Sequence, residues 1–163
     1  MGKTSIEWTD QTWNPLTGCT KVSPGCDNCY AKTMHERFNG PGSFDTVTLH
    51  PERLSQPLRW RSPHKVFVNS MSDLFEASVP DEYIADVFTV MAQSPQHTFQ
   101  ILTKRHARLR SLLTSPHWPE LLTRDPNVWP RDLDPEQPLS NVWLGVSVEN
   151  QQWADIRVPA STG

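Results

Sequence analysis

Three short apolar runs constrain this chain most. They are Lys65-Val66-Phe67-Val68-Asn69-Ser70, Thr98-Phe99-Gln100-Ile101-Leu102-Thr103 and Asn141-Val142-Trp143-Leu144-Gly145-Val146-Ser147-Val148. Each is β-branched or aromatic, bounded by proline or polar residues, and too short for a helix, so each predicts a buried strand. Helical patterns separate them. Pro80 opens one, with Asp81 and Glu82 in its first turn where they suit the helix dipole. Ile84, Val87, Phe88 and Met91 then recur at i, i+3, i+4 and i+7, one apolar helical face. His106 to Leu113 predicts a basic helix, and Glu149 to Val158 the opening of another. Continuous apolar strands alternating with helices predict a parallel sheet covered by helices, as an open α/β sheet or a barrel. After the third strand the chain holds only a helix start and the tail Pro159-Ala160-Ser161-Thr162-Gly163. The expectation is therefore one α/β domain over residues 1–163: a partial (β/α) barrel, shortened at its C-terminal end by one or more strands.

Length and composition agree with a folded domain. A chain of 163 residues is long enough to bury a core, and seven Trp and six Phe supply it. Fifteen prolines against seven glycines mean many rigid corners. They concentrate in residues 114–138, read as an irregular insertion or long surface loop. Lys plus Arg is 15 and Asp plus Glu is 18, a net charge of -3, which argues against a bulk polycation that coats nucleic acid. No apolar run approaches the roughly 20 residues of a membrane helix. The start, Met1-Gly2-Lys3-Thr4-Ser5-Ile6, lacks a signal peptide's apolar stretch and has Ile6 where myristoylation wants Ser or Thr. The expectation is a cytoplasmic protein without a membrane partner.

All three cysteines fall in a turn-rich region, residues 12–38, whose second part predicts a helix from near Asp27 to Phe38, stopped by Gly40-Pro41-Gly42. Cys19, Cys26 and Cys29 have the spacing C-x6-C-x2-C. The short step lets two sulfurs face one point, and the Ser23-Pro24-Gly25 corner can return the third to it. An odd number of cysteines without an export signal points away from a disulfide framework. Three readings stand. The thiols hold nothing; or they bind zinc with His35 or His50 as fourth ligand; or they hold a [4Fe–4S] cluster with one iron open to S-adenosylmethionine.

Several segments together carry a family resemblance. They are Thr4-Ser5-Ile6-Glu7-Trp8-Thr9-Asp10, Trp13-Asn14-Pro15, Gly18-Cys19, Gly25-Cys26, Cys29-Tyr30-Ala31, Phe67 through Phe75, Phe99 through Arg105, and Trp143 through Asn150. The chain resembles the phage and prophage three-Cys-motif proteins, a family of uncharacterised function related to radical S-adenosylmethionine enzymes. The resemblance spans nearly the whole chain, apart from the proline-rich stretch and the tail. It implies a radical-type barrel whose cluster, held by Cys19, Cys26 and Cys29, generates a 5′-deoxyadenosyl radical with an electron from a reductant protein. The substrate is unidentified, a nucleic-acid component being one candidate, and no catalytic residue is assigned. Two departures are visible. The common radical motif is C-x3-C-x2-C with an aromatic before the last cysteine, whereas here the first gap is six and Asn28 takes the aromatic position. Family members also continue into a further strand. A decayed prophage remnant is accordingly a third reading, beside the enzyme and a zinc-stiffened module that contacts nucleic acid.

Polar residues end each strand: Asn69, Ser70, Ser72 and Asp73; Thr103, Lys104 and Arg105; Ser147, Glu149 and Asn150. In a barrel those ends face the active site. Lys104 is the candidate for the methionyl carboxylate, Asp73 and Glu149 for the amine or ribose, and Asn69, Ser70 and Ser147 complete the polar set. Two basic groups, Lys104 to Arg110 and Arg53 to Lys65 with Trp60, suit either a solvated face or phosphate contact.

Overall fold

The structure, a computed structural model, describes residues 6–21, 26–27 and 29–147. Among these residues six strands and five α-helices follow in chain order. They are β1 (Gln11–Trp13), β2 (Leu16–Thr17), α1 (Tyr30–Asn39), β3 (Thr48–Leu49), α2 (Gln56–Arg59), β4 (Lys65–Val68), α3 (Asp81–Ala92), β5 (Thr98–Thr103), α4 (His106–Leu113), α5 (Trp118–Leu122) and β6 (Val142–Val146). Strands β1, β4, β5 and β6 lie side by side in that order, every pair parallel. The antiparallel pair β2–β3 stands apart. This is a mixed α/β architecture built on a four-stranded parallel sheet, open at β1 and β6 among the described residues.

The register explains where the core sits. Val66 pairs with Phe99 and Phe99 with Val142; Val68 pairs with Ile101 and Ile101 with Leu144. Directly paired residues share a face, and Val66, Val68, Phe99 and Ile101 are almost fully buried in one cluster with Ile84, Val87, Phe88 and Met91 of α3. The opposite face carries Phe67, Gln100, Leu102 and Trp143. There Leu102 is 41% and Trp143 59% exposed. The third strand is thus not buried on both sides, as its composition suggested.

Local physics moves three boundaries. The cysteine-region helix starts at Tyr30, not near Asp27, because Cys29 is extended (φ -68°, ψ 116°). Strand β4 stops at Val68, two residues early, because Asn69 turns the chain through a left-handed conformation (φ 57°). Residues 114–138 are not simply a surface insertion. They form α5, and Trp118, Leu122 and Trp129 enter the core. Trp118 meets Phe88 edge-on at 5.1 Å, which buries the outer side of α3 as well as its sheet-facing stripe. Thr98–Thr103 and His106–Leu113 keep their sequence-read bounds.

Two polar anchors tie the layers. Asn141, just before β6, donates its Nδ2 hydrogens toward the carbonyls of Met91, Ser94 and His97 at 3.0, 3.2 and 3.2 Å, closing the end of α3 and the turn after it. Buried His97 accepts the His64 backbone N–H at Nδ1 (3.1 Å) and donates Nε2–H to the Pro57 carbonyl (3.1 Å). Burial holds its pKa below the usual value, the Pro57 carbonyl opposing that and His64 adding to it.

Candidate metal centre

Parallel strands share one C-terminal end, the place where open α/β sheets bind ligands. Trp13, Val68, Thr103 and Val146 finish the four strands there. The cysteine-bearing chain is stitched onto that end. The Gly18 N–H donates to the Met71 carbonyl (3.1 Å), and the Cys19 N–H to that of Phe44 (2.9 Å). Gly18 has φ +86°, and a Cβ on it would overlap the Thr46 carbonyl, so only glycine fits before Cys19. Cys29 caps α1, its carbonyl accepting from the Thr33 N–H and Oγ1 at 3.1 and 3.2 Å.

Cys19, Cys26 and Cys29 all line one cavity of about 160 Å³, together with Lys21, Lys32 and Phe44. None of them forms a disulfide. Among the described residues, no three His, Cys, Asp or Glu side chains are disposed to hold a single metal ion. The two histidines considered for zinc do not line the cavity. His50 engages Thr17 Oγ1 through Nε2 (2.9 Å) and Glu52 through Nδ1 (3.3 Å). His35 meets Phe44 edge-on. Cys19, Cys26 and Cys29 share the cavity wall with two acids, Asp27 and Asp45.

Cations approach the sulfurs from β5. Lys104 Nζ donates to Cys26 Sγ at 3.7 Å. Arg105 Nη2 donates to the Thr20 carbonyl and Oγ1 at 2.9 and 2.7 Å. Burial pushes the Cys19 thiol up to about 11, Asp73 adding to the rise and Arg105 opposing it.

The other sequence-read candidates divide. Asp73 is a brace: Oδ1 accepts from Thr103 Oγ1 (2.7 Å) and the Phe75 N–H (3.0 Å), Oδ2 from the Lys104 N–H (2.9 Å). It thereby fixes the residue whose ammonium meets Cys26. Ser70 donates to Asn14 Oδ1 at 3.1 Å. Asn69 is 4% exposed, yet neither the nitrogen nor the oxygen of its carboxamide has a partner among the described residues. Such groups are uncommon in folded proteins, and this one sits in a strained backbone at a strand end. Ser147 follows β6, its N–H donating to the Thr103 carbonyl (2.9 Å). Glu149 and Asn150 lie outside the described residues.

Sequence reading missed Glu76. Its side chain accepts from Thr20 Oγ1 (2.9 Å), from the Ser78 N–H (2.7 Å) and from Ser78 Oγ, and lies 3.6 Å from Arg105 Nη2. Burial alone would raise its pKa, but the bonds from Ser78 and Thr20 and the charge of Arg105 outweigh that and lower it. The visible signal is an acid directly after Asp73-Leu74-Phe75.

A larger cavity, about 320 Å³, lies among Phe88, Trp118, Leu122 and Trp129. Its walls are mainly apolar and include no cysteine.

Comparison with known proteins gives one match. The family model described as "Protein of unknown function (DUF5131)" covers residues 3–162. No curated protein and no solved structure matches the chain. No helix among the described residues is long and apolar enough to cross a membrane.

Proposed function

The chain belongs to this uncharacterised family, and on that premise we propose that it is a radical S-adenosylmethionine iron–sulfur protein of phage or prophage origin. The observation that carries the reading is the convergence of Cys19, Cys26 and Cys29 on one cavity, at the end where the parallel strands finish. Three thiolates and no lining histidine suit a [4Fe–4S] cluster with one iron left for an external ligand. Bound there, such a cluster supplies an electron and an open coordination site to S-adenosylmethionine, the source of a hydrogen-abstracting radical.

The chain's own residues then have definite tasks. Asp73 holds the Lys104 backbone, and Lys104 presents a cation at the cavity for the methionyl carboxylate. The unpartnered carboxamide of Asn69 offers both a donor and an acceptor to the ligand's polar groups. Ser70 and Ser147 follow the ends of β4 and β6, and Glu149, outside the described residues, is assigned the amine or ribose. The partners are a reductant protein and a substrate that includes a nucleic-acid component among its candidates.

Oxygen-free reconstitution with iron and sulfide tests this. A brown protein with about four irons per chain, cleaving S-adenosylmethionine under dithionite, is expected. A colourless product overturns the reading. One zinc per chain, lost on His35→Ala, would replace it with the zinc module.

A further inference from the structure

We propose that Arg105 is a positioning residue for this centre: Nη2 clamps the chain next to Cys19, and the Nε–H is kept for the Cys19 sulfur. The inference rests on the cluster reading for its iron measurements and on geometry alone for its clamp. Three observations meet in it. Nη2 bonds both oxygens of Thr20, the residue after Cys19. Among the described residues the buried Nε of Arg105 has no hydrogen-bond partner. Its charge is matched by Glu76, 3% exposed against 14% for Arg105, and Glu76 also binds Thr20 Oγ1.

The chemistry selects arginine. A planar fork can hold two oxygens through one nitrogen while another N–H points elsewhere; an ammonium on a flexible stem cannot do both in fixed directions. A buried ion pair is weak evidence for stability, because desolvation offsets most of the attraction. Here the pair joins the cysteine loop (Thr20), the segment after β4 (Glu76) and the end of β5 (Arg105), so geometry is what it secures. Hydrogen bonds to ligand sulfurs and nearby charge set the potential and retention of iron–sulfur centres. Lys104 is the contrasting neighbour: it reaches Cys26 Sγ directly.

The test compares wild type with Arg105→Met/Glu76→Gln, which leaves no orphaned buried charge, and with Arg105→Lys. Each is reconstituted with iron and sulfide, and three quantities are read: the chelator concentration that strips half the iron, the midpoint potential, and backbone hydrogen exchange across residues 16–21 of the metal-free chain. The double variant should lose iron roughly 10- to 100-fold more readily, shift to a more negative potential, and exchange faster across 16–21. Arg105→Lys should not rescue it. Wild-type retention and potential in the double variant overturn the proposal, as does full rescue by lysine, which would make charge alone sufficient. If wild type takes up no iron, the cluster reading fails by itself. The exchange measurement then decides the clamp: faster exchange supports it, unchanged exchange refutes it.

Discussion

The two faces of the parallel sheet are built to different standards. One face, Val66, Val68, Phe99 and Ile101, is sealed under α3, and α3 in turn under α5. The other leaves Leu102 and Trp143 in solvent, with Trp8 set edge-on against Phe67 at 4.8 Å. The difference separates two jobs that sequence hydrophobicity merges. Apolar content on the sealed face sets stability, because the stabilisation scales with area removed from water. Apolar content on the open face contributes little to holding the chain together.

Substitutions on the two faces can break that contrast. Phe99→Ala, in the middle of the sealed face, should cost about 3–5 kcal/mol of unfolding free energy in urea titration; a cost below about 1 kcal/mol would mean the face is not the core. Gly18→Ala acts where the sheet end meets the cysteine loop. It should cost roughly 1–3 kcal/mol from the left-handed backbone alone, and its overlap with Thr46 should displace Cys19. Iron uptake should fall far more than the melting temperature does; an unaffected uptake would show that the loop adapts.

His97 sharpens the contrast through pH, since its ring lies 6.0 Å from that of Phe99. Its pKa is lowered in the fold, so the unfolded chain takes up the proton first. The contribution is fully present above an unfolded pKa of about 6.5 and is lost as pH falls from there through the folded value. One such group changes stability by at most about 1.4 kcal/mol per pH unit. Wild type should therefore weaken between pH 7.5 and 5.5 more than His97→Gln does; equal slopes would refute the assignment. The smallest effect belongs to Trp143→Ser on the open face, within about 0.5 kcal/mol. A loss as large as that of Phe99→Ala would erase the distinction between the faces.

Much of this was legible before any coordinates. Strand β5 and helix α4 were readable to the residue because polar residues and a helix start bracket them. The C-x2-C step keeps Cys26 and Cys29 near each other as a local constraint, whereas Cys19 joins their cavity through contacts with Phe44 and Met71 that the spacing does not show. Residues 114–138 were not legible, because prolines between Trp118, Leu122 and Trp129 destroy any period that would mark them as core. The end of β4 was overshot because Asn69 tolerates a left-handed turn without announcing one. Asp73 could be named from its place at a strand end, but its role as a brace depends on Thr103 and Lys104, far away in sequence. Glu76 left no periodic trace, since its partners Thr20 and Arg105 come from two other loops.

The three carbonyls gathered by Asn141 make this chain vulnerable to a change of a single atom. Hydrolysis of that side-chain amide, an ordinary wear reaction of ageing protein, would put a carboxylate oxygen where the nitrogen now donates to Met91, Ser94 and His97. Four acceptors would then face one another with no hydrogen between them, and the last strand would lose its mooring to the helix beneath it.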